Sequence, residues 1–231
     1  MYSDRFKNPL LNQSDRWQYN YNINDDLGNV MIATPQSSNL TPEEYLQLET
    51  ASNIKHEYID GEVYAMAGAT DTHVTIALNM AILLRSHLRG SGCRVYISDM
   101  KVRIEKKNRF YYPDVLMTCE DRDRENNTFK KFPSLIVEVL SDSTEAFDRG
   151  DKFADYQSLP SLQEYVLINT RKARIECFRR TKEGLWLLQF YELEDSQFEL
   201  TSVGFTGKVS DVYEEVEFDE QSNSQASKYS P

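Results

Sequence analysis

Apolar residues in this chain of 231 fall into short periodic runs framed by polar stretches. Residues 1–38 are rich in Asn, Asp, Ser, Gln and Tyr and keep no apolar period, which predicts a flexible N-terminal arm. The pattern changes at Thr41. Thr41-Pro42-Glu43-Glu44 reads as a capping box with proline at the first helical position, and Tyr45, Leu46 and Leu48 follow it in a short helix. Two alternating runs, 56–59 and 62–66, flank Asp60-Gly61, a two-residue hairpin signal. Thr70 or Asp71 then caps a longer helix. In it Val74, Leu78, Ala81, Ile82 and Leu88 recur at helical spacing, and Gly90 and Gly92 end it.

Strands are predicted at 94–97, 101–104 and 110–117, followed by a charged loop over 120–131. The run 134–140 is the most apolar strand of the chain, and a helix over about 144–158 follows, ending near Pro160. A buried strand at 164–169 and three more runs at 174–178, 185–191 and 198–201 complete the body as an antiparallel meander. The order predicts an α/β (α+β) domain over 39–218, with a mixed central sheet flanked by helices. The polar tail 219–231 is predicted to be disordered.

Charge refines this picture. The formal net charge is -11, which argues against a nucleic-acid partner until its distribution is considered. Residues 192–231 hold ten Asp/Glu against two Lys, a net of -8, leaving -3 for the rest. Within that rest, Arg94, Lys101, Arg103, Lys106, Lys107 and Arg109 form one basic cluster. Arg171, Lys172, Arg174, Arg179, Arg180 and Lys182 form another. Either could hold phosphates or be a solvated hairpin face. Cys93, Cys119 and Cys177 form no CxxC pair, so three reduced thiols are expected. No apolar run approaches the roughly 20 residues of a membrane span, and the start lacks a signal-peptide stretch, so a cytoplasmic protein with no membrane partner is expected.

Candidate chemistry lies where acids interrupt apolar strands. Glu138 stands in the middle of Ser134-Leu135-Ile136-Val137-Glu138-Val139-Leu140, a strand apolar on both faces. A buried carboxylate must be neutralised, paired with a cation or bound to a metal; an arginine would serve as well as an ion. Asp114 follows a proline inside a second apolar run, where proline marks a strand end or bulge. On neighbouring strands the two acids could share one site for Mg²⁺ or Mn²⁺. Lys152, on the helix after the Glu138 strand, could orient a water or neutralise phosphate; taken alone, its spacing from Asp148, four residues earlier, reads first as a surface ion pair.

A Pro-Asp strand, a strand with an internal Glu and a nearby Lys resemble the PD-(D/E)XK nuclease superfamily. More closely, HEYIDGEVYAMAGA, YYPDVLMTC and FPSLIVEVLSDSTEAFDRGDKFADYQSLPSLQEYVLIN look like the Uma-two family of endonucleases, over roughly residues 40–195. The resemblance implies a restriction-endonuclease-like core, Asp114 and Glu138 as metal ligands, Lys152 as catalytic lysine and DNA as substrate. The superfamily lysine usually stands two residues after the second acid, where this chain has Leu140. Glu57 could supply the accessory acid of the superfamily, or be an exposed hairpin residue. His73 could contact phosphate or order a water, or simply lie at a helix start. Tyr111, Tyr112 and Tyr156 are assigned to packing. An endonuclease, a non-catalytic DNA-binding or protein-interaction module, and a homodimer for duplex cutting all remain open.

Overall fold

Local signals near the start are realised as read. Helix α1, Pro42–Ala51, carries the reciprocal capping box: the Glu44 N–H donates to Thr41 Oγ1 and the Thr41 N–H to Glu44 Oε2, at 3.2 and 2.8 Å. Strands β1, His56–Ile59, and β2, Glu62–Ala65, close over Asp60 and Gly61, whose φ angles of 53° and 100° suit a primed hairpin turn. The computed structural model describes residues 39–195 and 197–218. The arm expected over 1–38 and the tail expected over 219–231 lie outside the described residues.

Helix α2, Asp71–His87, is capped by Thr70, and its core face matches the expected one only in part: Ala81 and Leu88 are buried as expected. Ile76, Ala77, Met80, Ala81 and Leu84 are buried, whereas Val74, Leu78 and Ile82 are 54, 51 and 54% exposed. The helix is apolar on two faces, so periodicity could not say which of them meets the sheet.

The remaining elements are β3 (Arg94–Ile97), β4 (Lys101–Ile104), β5 (Arg109–Tyr111), β6 (Val115–Thr118), β7 (Phe129–Lys130), β8 (Leu135–Val139), α3 (Glu145–Arg149), α4 (Asp151–Tyr156), β9 (Glu164–Ile168), β10 (Arg174–Arg180), β11 (Trp186–Glu192), β12 (Gln197–Leu200), β13 (Phe205–Lys208) and α5 (Val209–Val212). They form a six-stranded sheet in the order β11-β10-β9-β8-β6-β3 and a five-stranded sheet in the order β2-β1-β5-β4-β7; β12 and β13 pair separately. In the larger sheet β8 and β9 run parallel, as a helical crossover requires, and every other pair is antiparallel. Strands β9, β10 and β11 make the expected meander.

Four expectations change. The run 110–117 is not one strand: Pro113, unable to donate to a ladder, stands where the chain leaves the smaller sheet as β5 and enters the larger one as β6. The helix over 144–158 breaks at Gly150, with α3 and α4 on either side. A Cβ there would lie 3.0 Å from the Ala146 carbonyl oxygen, so a side chain at this break would crowd the preceding turn. The run 198–201 leaves the meander to pair with β13. Finally, Cys93 and Cys119 are joined by a disulfide, because the β3–β6 register, with Arg94 opposite Thr118, brings the flanking cysteines together. Only Cys177 is a free, buried thiol.

Alternation along the central strands sorts their side chains. Val115, Met117, Leu135, Val137, Val139, Val166 and Ile168 pack toward Ile76, Met80 and Leu84 of α2. Leu116, Ile136, Leu140, Tyr165 and Leu167 pack with Phe153 and Tyr156 of α4. Glu138 has the parity of the second set, so it faces α4 inside a covered sheet.

Candidate active site

Asp114 sits where β6 stops pairing with β8. The last paired residues are Val115 and Val137, and beyond them the Asp114 carboxylate takes the place of backbone: Val139 N–H donates to its Oδ2 at 2.8 Å. The Asp114 N–H in turn points to Glu138 Oε2, 3.4 Å away. The two acids expected to meet are therefore neighbours across the sheet. Proline at 113, between β5 and β6, can donate to no ladder.

Lys152, on the first turn of α4, reaches the same point. Its Nζ lies 3.0 Å from Glu138 Oε1, 3.3 Å from Glu57 Oε1 and 3.4 Å from Asp148 Oδ1. It is buried, with 6% of its surface exposed, as are Glu138 and Asp148 at 3% each. The pairing with Asp148 exists, but inside the protein rather than on the surface. Glu57 also accepts the Tyr112 N–H at 3.2 Å, so it is not an exposed hairpin residue. His73, in the first turn of α2, places Nε2 2.9 Å from Asp114 Oδ1; among the described residues its buried Nδ1 has no hydrogen-bond partner. The structure thus gathers all five sequence candidates, Glu57, His73, Asp114, Glu138 and Lys152, from five separate segments.

Two members were not picked out by the sequence argument. In the sequence Asp148 reads as a surface partner and Tyr156 as packing, yet the Tyr156 hydroxyl donates to Glu138 Oε1 at 3.1 Å. Asp148, Lys152 and Tyr156 recur every fourth residue, and this spacing beside buried Phe153 was the available signal. Tyr112 also does more than pack. Its hydroxyl donates to Glu49 Oε2 at 2.5 Å and accepts from buried Lys101 at 3.0 Å.

Four carboxyl groups (Glu57, Asp114, Glu138, Asp148) surround one ammonium and one imidazole. Burial, then the charges of Asp148 and Asp114, push the Glu138 pKa well above the ordinary carboxylate range, against the pull of Lys152. Burial likewise raises Glu57. For Lys152, burial works downward, but Glu138, Glu57 and Asp148 outweigh it and hold the proton on the amine. Burial also works downward on His73, and the hydrogen bond and charge of Asp114 raise its pKa overall. Among the described residues no group of three or more His, Cys, Asp or Glu is arranged to hold a metal ion. The centre offers an ion two carboxylates at most.

The basic clusters are largely committed elsewhere. Arg109 pairs with Asp155, Arg174 with Glu176 and Glu192, Arg171 with Asp142 and Glu145, and Arg179 with Glu164. Arg103 lies over the Phe110 ring. These contacts fix hairpins and sheet edges, so charge clustering in the sequence overstated the surface open to phosphate.

A mixed sheet with helical cover, and acids meeting a lysine where two central strands part, is the architecture of a restriction-endonuclease-like protein. Residues 42–210 match the model of the Uma2 family, described as "Putative restriction endonuclease", and the chain belongs to that family. It is 41% identical over 179 residues to the uncharacterized protein slr1290 of Synechocystis, covering 78% of this chain and 94% of that one. A second Synechocystis relative, the uncharacterized protein sll1609, is 34% identical over 173 residues, covering 74% and 98%. The fold is also that of a crystal structure from Anabaena variabilis, described as "a putative nuclease belonging to DUF820". That likeness has a TM-score of 0.62 at 14% identity and covers 76% of this chain and 98% of that one. Among the described residues no helix is long and apolar enough to cross a membrane.

Proposed function

We propose that the protein is a cytoplasmic, metal-dependent endonuclease that hydrolyses phosphodiester bonds of DNA. The observation carrying this reading is the convergence of Asp114, Glu138 and Lys152 at the parting of β6 and β8. The donor set fits a hard divalent cation such as Mg²⁺ or Mn²⁺. Asp114 and Glu138 are oxygen ligands on neighbouring strands, and the buried carboxyls outnumber the cations beside them. Bound there, the ion would polarise the scissile phosphate and lower the pKa of an attacking water.

The residues of the chain have distinct tasks in this reading. Lys152 neutralises charge developing on the phosphate and orients the water, its ammonium held by Glu138, Glu57 and Asp148. Tyr156 fixes the rotamer of Glu138, and the Val139 N–H fixes that of Asp114. His73, whose ring Nδ1 is unpartnered among the described residues, has a donor or acceptor left for a phosphate oxygen or a water.

A second reading, a nuclease-fold module that binds DNA or protein without cutting, draws on Leu140 in the usual lysine position and on Lys152 enclosed by three acids. Incubation of the protein with supercoiled plasmid separates the two. The endonuclease nicks or linearises the plasmid with Mg²⁺ or Mn²⁺ and stops when EDTA is added. Intact plasmid at every metal concentration, with DNA retained in a mobility-shift assay, would favour the module.

A further inference from the structure

Helix α2 is apolar on its outer face as well as toward the core. Asp71, Val74, Leu78, Ile82 and Arg85 fall within an arc of about 80° at 3.6 residues per turn, opposite Met80. All five are exposed. The three apolar members are each more than half exposed, and with Ile97 (51%) they form an uncovered strip beside β3. Leu78, Ile82 and Arg85 line an open groove of about 600 Å³ whose other wall is Val95, Ile97 and Met100. Strand β3 is the end of the six-stranded sheet. A contiguous apolar strip rimmed by charge marks an interaction site.

The order of residues along the strip says what covers it. Positions 71, 74, 78, 82 and 85 are symmetric about Leu78: one charge and one apolar residue on each side, at equal distances, with opposite charges at the two ends. We propose that this face binds a second copy of the chain, with the two α2 helices antiparallel about a two-fold axis at Leu78. In that arrangement Leu78 meets Leu78 of the other copy, Val74 meets Ile82, and Asp71 meets Arg85 twice over. Among the described residues neither Asp71 nor Arg85 has an ion-pair partner within the chain, so both are available. Antiparallel helix dipoles add to the attraction. An unrelated partner would need no such symmetry; a self-complementary patch is the requirement of a two-fold interface.

The consequence for the site is geometric. His73 lies five residues before the axis residue, so the two copies of His73 stand about 15 Å apart along the helix pair at 1.5 Å per residue. The two candidate centres then lie on either side of one axis. The interface itself does not depend on the nuclease reading.

Sedimentation equilibrium of the 231-residue chain over a wide concentration range tests the interface. The wild type should dimerise, and Leu78→Glu should weaken the dimer by about tenfold or more, because the axis residue contributes twice. Asp71→Arg and Arg85→Asp should each weaken it, and the chain carrying both reversals should regain affinity, because each new pair is again opposite in charge. Circular dichroism melting checks that every variant folds; the charge reversals keep the test open if Leu78→Glu does not. A wild type monomeric throughout, a Leu78→Glu dimer as tight as wild type, or a double reversal no better than the single ones would each overturn the proposal. So would a monomer whose Leu78→Cys thiol resists alkylation, since residues of the same chain would then cover the strip.

Discussion

Lys152 is held in a place where an amine is expensive to desolvate and where three carboxylates would repel one another without it. Its replacement therefore acts on stability as well as chemistry. As a surface partner of Asp148 it would be worth at most about 0.5 kcal/mol. Buried against Glu138, Glu57 and Asp148, its loss in Lys152→Met should cost about 3–5 kcal/mol at neutral pH, read from urea unfolding. A wild-type unfolding midpoint in that variant would show that the ammonium is solvated. The same physics explains what was legible here. Asp114 and Glu138 stand out because acids inside apolar runs are costly. Asp148 does not, because an acid four residues before a lysine looks the same on a surface helix as on a buried one.

At the scale of elements, single residues decide how segments meet. Pro113 ends one strand and lets Asp114 enter the next sheet, and Gly150 kinks the crossover so that α4 brings Lys152 and Tyr156 onto β8. Both residues could be read as breakers; that the first separates two sheets could not, because pairing partners are set by tertiary contact. The exposure of Val74, Leu78 and Ile82 on α2, which periodicity assigns to the core, has the same origin. Helix α1 is tied to β1 and to the chain before Pro113 through Glu49, whose Oε1 accepts from the His56 ring at 2.7 Å and the His56 N–H at 3.1 Å, and whose Oε2 accepts from Tyr112. Burial alone would raise the Glu49 pKa, but the bonds from His56 and Tyr112 hold it below the ordinary 4.5. A depressed carboxylate stabilises the fold above its unfolded pKa and loses that contribution as pH falls through the folded value. Glu49→Gln should therefore lower stability by about 1–3 kcal/mol at pH 7, and the gap from wild type should close below the ordinary 4.5. Melting curves across pH check this, and a gap independent of pH would contradict it.

For the whole molecule, the succession of most helices and strands along the chain was within reach of the sequence, whereas the order of strands in the sheets, the division into two sheets and the Cys93–Cys119 link were not. The disulfide joins cysteines 26 residues apart, and only the β3–β6 register makes them neighbours. Net charge misleads at this scale as well, since most of the excess acid lies after Glu192 and many arginines that look free are internally paired. What the fold does with these parts is to place one buried, carboxylate-rich centre where β6 and β8 part. The most direct test of that centre is the single-turnover cleavage of plasmid DNA with Mg²⁺ or Mn²⁺ by wild type, Asp114→Asn, Glu138→Gln and Lys152→Met, at a temperature where all four are folded. The account predicts cutting by the wild type and a loss of about 100-fold or more in each variant, within the range that removal of one electrostatic group costs a catalyst. Cleavage at wild-type rates by Asp114→Asn and Glu138→Gln, or by Lys152→Met, would contradict it.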